Sequence, residues 1–214
     1  MLDRAASACG RLPGQIDIHT GQVATSPSAV RYLSHFPYAQ KAWNGEGFDF
    51  NQGREYWLVD VSGLQHGITA DRLGGGGAGN DIKGMLFGMT QRNSATAPAL
   101  WHLWDSFQIE QCEMRGWWED DAPAYATPTL PSLCKPSDFG ITAFSKFEDR
   151  TLLVIASFCG TDAQVNVHVN WSALGLVKTV QATAPDIQGV QASRTIQLAA
   201  LTLKADSGVI VVLK

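Results

Sequence analysis

Long apolar runs are missing from this 214-residue chain. Nowhere do about 18 apolar residues follow one another, so no membrane-spanning helix is encoded. Clusters of lysine and arginine are missing too, and the formal net charge is -4. That excludes the basic footprint of a nucleic-acid or anionic-membrane binder. The four cysteines, Cys9, Cys112, Cys134 and Cys159, contain no C-x-x-C pair, which excludes the common zinc and dithiol redox motifs. No His or carboxylate cluster has metal-ligand spacing, and no cofactor signature appears, so neither a metal nor a cofactor is expected. The glycine run Gly74–Gly79 lacks the Gly-Lys-Ser/Thr ending of a phosphate loop and reads as a flexible active-site or surface loop. There is no Gly-x-Ser-x-Gly nucleophile elbow. Met1 to Gly14 carries Asp3, Arg4 and Arg11 without a long apolar stretch, unlike a secretory signal peptide. Localisation stays open, a secreted or periplasmic full-length version included.

What the chain does contain is concentrated in one segment. Ala42-Trp43-Asn44-Gly45-Glu46-Gly47-Phe48-Asp49-Phe50 sets two carboxylates three residues apart among glycines, behind a tryptophan. An aromatic ring offers a flat apolar face to the C–H side of a pyranose, and carboxylates bind hydroxyls or move protons. Glu46, exposed by its flanking glycines, is the leading acid. Asp49 or Asp17 would supply a second carboxylate, and a separation of about 5 Å or of about 6.5–9.5 Å would decide between retention and inversion. The alternative is a strand edge running into a turn, with both acids solvated. Trp43 reads as a stacking platform or as core, and Asn44 and Trp101 join it as candidate sugar contacts. His19, after Ile16-Asp17-Ile18, either bonds a hydroxyl or caps its strand.

Two halves follow different patterns. Up to about Glu113, strands alternate with helices: Gln15–His19 and Lys41–Trp43 as strands, Ser28–His35 as a short helix, and Gly84–Thr90 as a compact apolar strand. Tyr56–Val61 suits a strand or the opening of a helix. Ala97–Phe107 has helical spacing, with Leu100, Leu103, Trp104 and Phe107 on one face. From about Gly140 the pattern is that of an antiparallel sandwich: a hairpin over Gly140–Phe158, then Ala163–Val169, Thr195–Leu198 and Gly208–Leu213. Four prolines in Asp120–Pro136 suggest a linker or crossing loop. The expected organisation is therefore a partial (β/α) barrel segment over 1–118, a Pro-rich linker over 119–136 and a β-sandwich over 137–214. A whole eight-fold barrel needs roughly 200 residues, so only its last strands fit here. Cys159 reads as a small core residue. Cys112 and Cys134 would pair only in an oxidising compartment, which spacing leaves open.

The blocks His35-Phe36-Pro37-Tyr38, Gly45–Asp49, Tyr56–Val59, Gly84–Thr90, Leu103-Trp104-Asp105 and Gly116-Trp117-Trp118 resemble, in order, the C-terminal part of glycoside hydrolase family 123. The resemblance implies an N-terminal β domain, a central (β/α)8 barrel and a C-terminal β-sandwich. It also implies cleavage of β-linked N-acetylgalactosamine, with the substrate's acetamido group as nucleophile and an adjacent Asp-Glu pair as its helpers. No Asp-Glu dipeptide occurs here; Glu119-Asp120 and Glu148-Asp149 stand in reversed order. The expected pair lies upstream of Met1, or other acids serve instead.

In barrel enzymes chemistry sits where strands end, which directs attention to His19, Glu46, Asp49 and Thr90–Arg92. The leading expectation is glycoside hydrolysis, of β-linked N-acetylhexosaminides. A non-catalytic carbohydrate-binding or structural remnant is the alternative. A carbohydrate is the expected partner, and unpaired strand edges would favour a homo-oligomer or an upstream segment that completes the barrel.

Overall fold

The structure, a computed structural model, describes residues 4, 7–10, 15–19, 36–44, 48–64, 67–73, 77–177 and 181–214. The candidate acid Glu46 and the expected helix over Ser28–His35 lie outside the described residues.

Four short strands form an all-parallel sheet in sequential order: β1 (Asp17–His19), β2 (Lys41–Asn44), β3 (Thr69–Arg72) and β4 (Thr90–Gln91). Helical segments separate them. After β2, α1 (Arg54–Tyr56) runs into a π-helical turn, Trp57–Val61. Trp57 and Val61, four residues apart and both fully buried, pull this β-prone stretch into a helix. After β3 comes α2 (Gly77–Met85), and after β4 comes α3 (Ala97–Phe107). Helix α3 buries Leu100, Leu103 and Phe107 as its spacing predicts, opens with Pro98 and closes at Gln108 in the left-handed region, φ 59°.

Gly84–Thr90 is not a strand. Its first residues complete α2, and only Thr90 enters the sheet. Residues 81–87 are all buried, because α2 is wedged between the parallel sheet and the sandwich. A helix covered on every side loses its polar stripe, and its short apolar run then imitates a strand.

The sandwich opens earlier than the proline content suggests. Strand β5 (Glu113–Gly116) pairs with β7 (Phe139–Lys146), and β6 (Ala124–Pro128), inside the supposed linker, pairs with β9 (Ala163–Val169). Around the hairpin of β7 and β8 (Arg150–Ser157) the larger sheet has the order β11-β10-β13-β8-β7-β5, with β10 at Ala182–Ala184, β11 at Arg194–Thr195 and β13 at Gly208–Leu213. The smaller sheet is β12-β9-β6, with β12 at Leu201–Leu203.

Alternate residues of the larger sheet serve two cores. Leu153, Ile155, Val209 and Val211 fill the space between the sandwich sheets. Phe144, Leu152, Val154, Ala156 and Ile210 face the other way, against Trp57, Ile82, Met85 and Leu100 of the helical layer. Trp118 stacks on Phe87 at 5.6 Å, and the Arg54 guanidinium lies 4.0 Å from the Trp117 ring centre. Both tryptophans thus bridge the two parts of the chain. Cys159 is disulfide-bonded to Cys134, not an inert core thiol, while Cys112 is free. Burial pushes the Cys112 thiol above its ordinary range, and the charges of Lys146 and Arg150 offset this in part.

Candidate active site at the strand ends

The register of the parallel sheet sorts its side chains onto two faces. Ala42 and Ala70, flanked by Asn44 and Arg72, turn toward the helices. The opposite face carries two rows across the strands: Asp17 beside Lys41, and, nearer the C-terminal ends, His19, Trp43, Asp71 and Thr90. This second row stands where an α/β scaffold presents its chemistry.

Asp71 is the centre of the row. It is 4% exposed, and its carboxylate accepts from Lys41 Nζ at 2.7 Å, Arg92 Nε at 2.6 Å and the Thr90 hydroxyl at 2.9 Å. Burial alone would raise its pKa; the hydrogen bonds from Arg92, Lys41 and Thr90 more than reverse that, so it falls below the ordinary carboxylate value. Asp71 is therefore an anion at neutral pH. Arg92, one residue past β4, also pairs with Asp17, tying the first and last strands of the sheet together.

Arg92 lies 4.8 Å from the centre of the Trp43 ring, and the His19 ring centre is 4.8 Å from it as well, tilted by 38°. So flanked, Trp43 is less a bare platform than a wall that sets the positions of His19 and Arg92. His19 and Trp43 are thus brought together as the sequence suggests, with Asp17 and Arg92 beside them.

The other expected residues are placed differently. Asn44 points into the helical layer, 5% exposed, where Nδ2 donates to the Val61 carbonyl at 2.9 Å. Its amide holds the π-helical turn against the sheet. Trp101, 41% exposed, sits on α3 and hence on the helix side of the sheet, away from the row at the strand ends. Asp49 is exposed on the loop after β2. Its carboxylate accepts from Gln52 Nε2 at 2.7 Å and from the Asn51 backbone N–H at 3.1 Å, and these bonds, the Gln52 bond foremost, lower its pKa. Nearby, burial raises the Tyr56 hydroxyl above its usual range. The reversed acidic pairs lie elsewhere: Glu119 accepts from the Gly116 N–H at 3.0 Å, and Glu148 occupies the β7–β8 turn.

Sequence reasoning passed over Asp71 and Lys41. The available signal was Ile68-Thr69-Ala70-Asp71, an apolar-leaning run ending on an acid just before the glycine run. Among the described residues, one grouping has metal-ligand proximity, Cys134, Asp138 and Cys159. Its two sulfurs are joined in the disulfide, which removes them as thiolate ligands.

The described residues thus form a parallel α/β segment with polar groups gathered at its strand ends, followed by an antiparallel sandwich. The family profile "Glycoside hydrolase 123, C-terminal domain" matches residues 96–214, and "Glycoside hydrolase 123, TIM-barrel domain" matches residues 5–94. The chain belongs to glycoside hydrolase family 123. No curated protein matches it. Among solved structures it is similar to Abp-WT, a GH27 β-L-arabinopyranosidase from Geobacillus stearothermophilus, at 14% identity and a TM-score of 0.48, over 99% of this chain and 52% of that one. The chain thus spans about half the length of that structure.

Proposed function

We propose that this chain provides part of the active site of a glycoside hydrolase, with the scissile sugar bound over the His19–Trp43–Asp71 row and β-linked N-acetylhexosaminides as the substrate class. The observation that carries this reading is Asp71: a buried carboxylate kept ionised by two cations and a hydroxyl, at the C-terminal end of a parallel strand. Glycosidic cleavage passes through an oxocarbenium-like state, and a fixed anion beside it lowers the barrier. The bond from the anomeric carbon to the leaving oxygen breaks, that oxygen takes a proton from an acid, and water finally supplies the hydroxyl. Held ionised, Asp71 is unsuited to donate that proton. Glu46, two residues after Asn44 in the sequence and between two glycines, is proposed as the donor. Asp49, ionised and exposed on the same loop, is the competing second carboxylate.

The test is hydrolysis of aryl N-acetyl-β-hexosaminides by the intact protein and its variants. Glu46→Gln is expected to lower kcat at least ~100-fold, the usual worth of a general acid. Asp71→Asn is expected to lower kcat as well, and Asp49→Asn to leave it nearly unchanged. Full turnover in Glu46→Gln removes Glu46 from the chemistry.

A second reading, saccharide binding without cleavage, draws on the same cluster. Asp17 and Asp71 are matched by Lys41 and Arg92, a balanced set suited to hydroxyl recognition. Calorimetric binding of oligosaccharides with no product formed would favour it.

A further inference from the structure

We infer that the Cys134–Cys159 disulfide is a redox-sensitive clasp on the junction between the helical layer and the sandwich. Closed, it holds the β12–β13 turn against helix α2. Opened by a dithiol, it lets that turn go and unseats α2. The device is independent of the strand-end chemistry.

The junction is built around a buried cation. Lys83, on α2, keeps 1% of its side chain in solvent, and its Nζ donates to Asp206 Oδ1 at 3.1 Å. The ammonium also lies 5.1 Å from the centre of the Phe158 ring. Burial pulls the Lys83 pKa down, and the hydrogen bond and charge of Asp206 offset this in part. Asp206 is thus the counter-ion a lysine in this layer requires, since a buried charge stripped of its partner is costly. It reaches Lys83 from a left-handed backbone, φ 46°, which a residue other than glycine keeps only when its surroundings hold it there.

One segment does the holding. Ser157 N–H donates to the Ser207 carbonyl at 2.7 Å, and Asp206 N–H donates to the Cys159 carbonyl at 2.9 Å. Asp162 accepts from the Ala205 N–H at 2.9 Å and from Lys204 Nζ at 2.7 Å. These ties all end on residues 157–162, at the close of β8 and just beyond it. That segment is pinned in turn to the β6–β7 connection, covalently by the disulfide to Cys134 and by one hydrogen bond, Phe158 N–H to the Asp138 carbonyl at 2.8 Å.

The bond is placed to open. Both cysteines are buried, but each is followed by an exposed residue, Lys135 and Gly160. Thr161 stands beside both sulfurs, its carbonyl 3.8 Å from Cys134 Sγ and its hydroxyl 3.4 Å from Cys159 Sγ. A disulfide has no S–H to offer these acceptors, whereas two thiols have one each. On opening, the dithiol gives up two electrons and two protons. It closes to its own disulfide as the S–S bond breaks and Cys134 and Cys159 become thiols.

Amide hydrogen exchange of the intact chain, with and without dithiothreitol, tests this. Titratable thiols should rise from the two of Cys9 and Cys112 to all four cysteines. Exchange across α2 should then speed up at least ~10-fold, while α3 exchanges as before. Cys134→Ser should show the faster α2 exchange from the outset and no response to the dithiol. Lys83→Met is the discriminating variant: with no ammonium to strand, its α2 should respond to the dithiol much less than the native chain. Asp206→Asn, in a partly exposed turn, should loosen α2 in both redox states. The inference is overturned by a bond that resists the dithiol, by α2 exchange that reduction leaves unchanged, or by α2 and α3 loosening alike. It is equally overturned if Lys83→Met responds as strongly as the native chain, or if Asp206→Asn keeps α2 fully protected.

Discussion

Asp71 and Arg72 are consecutive residues of one strand, both almost fully buried, and they belong to different worlds. Asp71 points to the face of the parallel sheet that carries Trp43 and His19, where its partners Lys41 and Arg92 keep about a third of their side chains in solvent. Arg72 points to the helical layer, where it meets the equally buried Asp81 and the side chain of Gln91, while Asp81 also receives the Thr96 hydroxyl. Both clusters balance charge with charge. The first borders solvent through Lys41 and Arg92, whereas the second is sealed and serves to seat α2 against β3 and β4. A buried ion pair is therefore not a functional signal by itself; the face it occupies decides.

The sharpest way to break this contrast is Arg72→Met. It strands Asp81 in an apolar layer, and loss of one partner from a buried pair costs ~3–5 kcal/mol. Urea unfolding should show it, with any loss of activity following the loss of fold. Asp71→Asn should cost less, ~1–3 kcal/mol for the unmet donors it leaves, while removing turnover from protein that is still folded at 25 °C. Equal stability losses in the two variants would erase the distinction between the faces.

Acid sharpens the comparison further. The folded-state pKa of Asp71 lies below the ordinary value of 3.8, so between the two the unfolded chain binds more protons. The stabilisation is complete above 3.8 and is lost as pH falls through the lower, folded value. The stability gap between the native protein and Asp71→Asn should accordingly close below that range in acid unfolding curves. A gap that persists there would mean Asp71 acts through packing, not charge. The smallest effect is expected from Trp101→Ala, on the solvent side of α3: ~1 kcal/mol or less of stability and no change in KM. A raised KM would return that tryptophan to the substrate site.

Much of the fold was legible where one face of an element meets water. The alternation of Ala163–Val169 and the spacing of Leu100, Leu103 and Phe107 each survive in the structure because the opposite side of the element is exposed. Legibility failed where burial is complete. The end of helix α2, Gly84 and Met85, shows no stripe because it is covered from two directions, and with the turn after it was read as a strand, while the helix's first residues were read as part of a flexible glycine loop. Strand β6 was hidden by proline at its end, although an edge strand tolerates proline where no ladder donor is needed. The Cys134–Cys159 bond joins positions 25 residues apart that only the sandwich brings together.

The site shows the same division. His19 and Trp43 were visible as aromatic and polar residues at strand ends, and the register does bring them side by side. Asn44, one residue on, projects through the other face of the sheet, since successive side chains of a strand alternate. Asp71 was missed because an acid near the end of a four-residue strand, followed by Arg72 and a glycine run, looks without its neighbours like the start of a loop.

The double-sided burial of the larger sandwich sheet has a consequence for anyone who wishes to divide the molecule. Leu152, Val154 and Ile210 share a buried cluster with Trp57, Ile82, Met85 and Leu100 of the helices ahead of them in the chain, and Gly79 lies so near the β12–β13 turn that an added methyl would sit 2.6 Å from the Asp206 carbonyl oxygen. Scission between α3 and β5 would release no pair of well-behaved halves, but two sticky ones, each missing the lid that the other had been wearing.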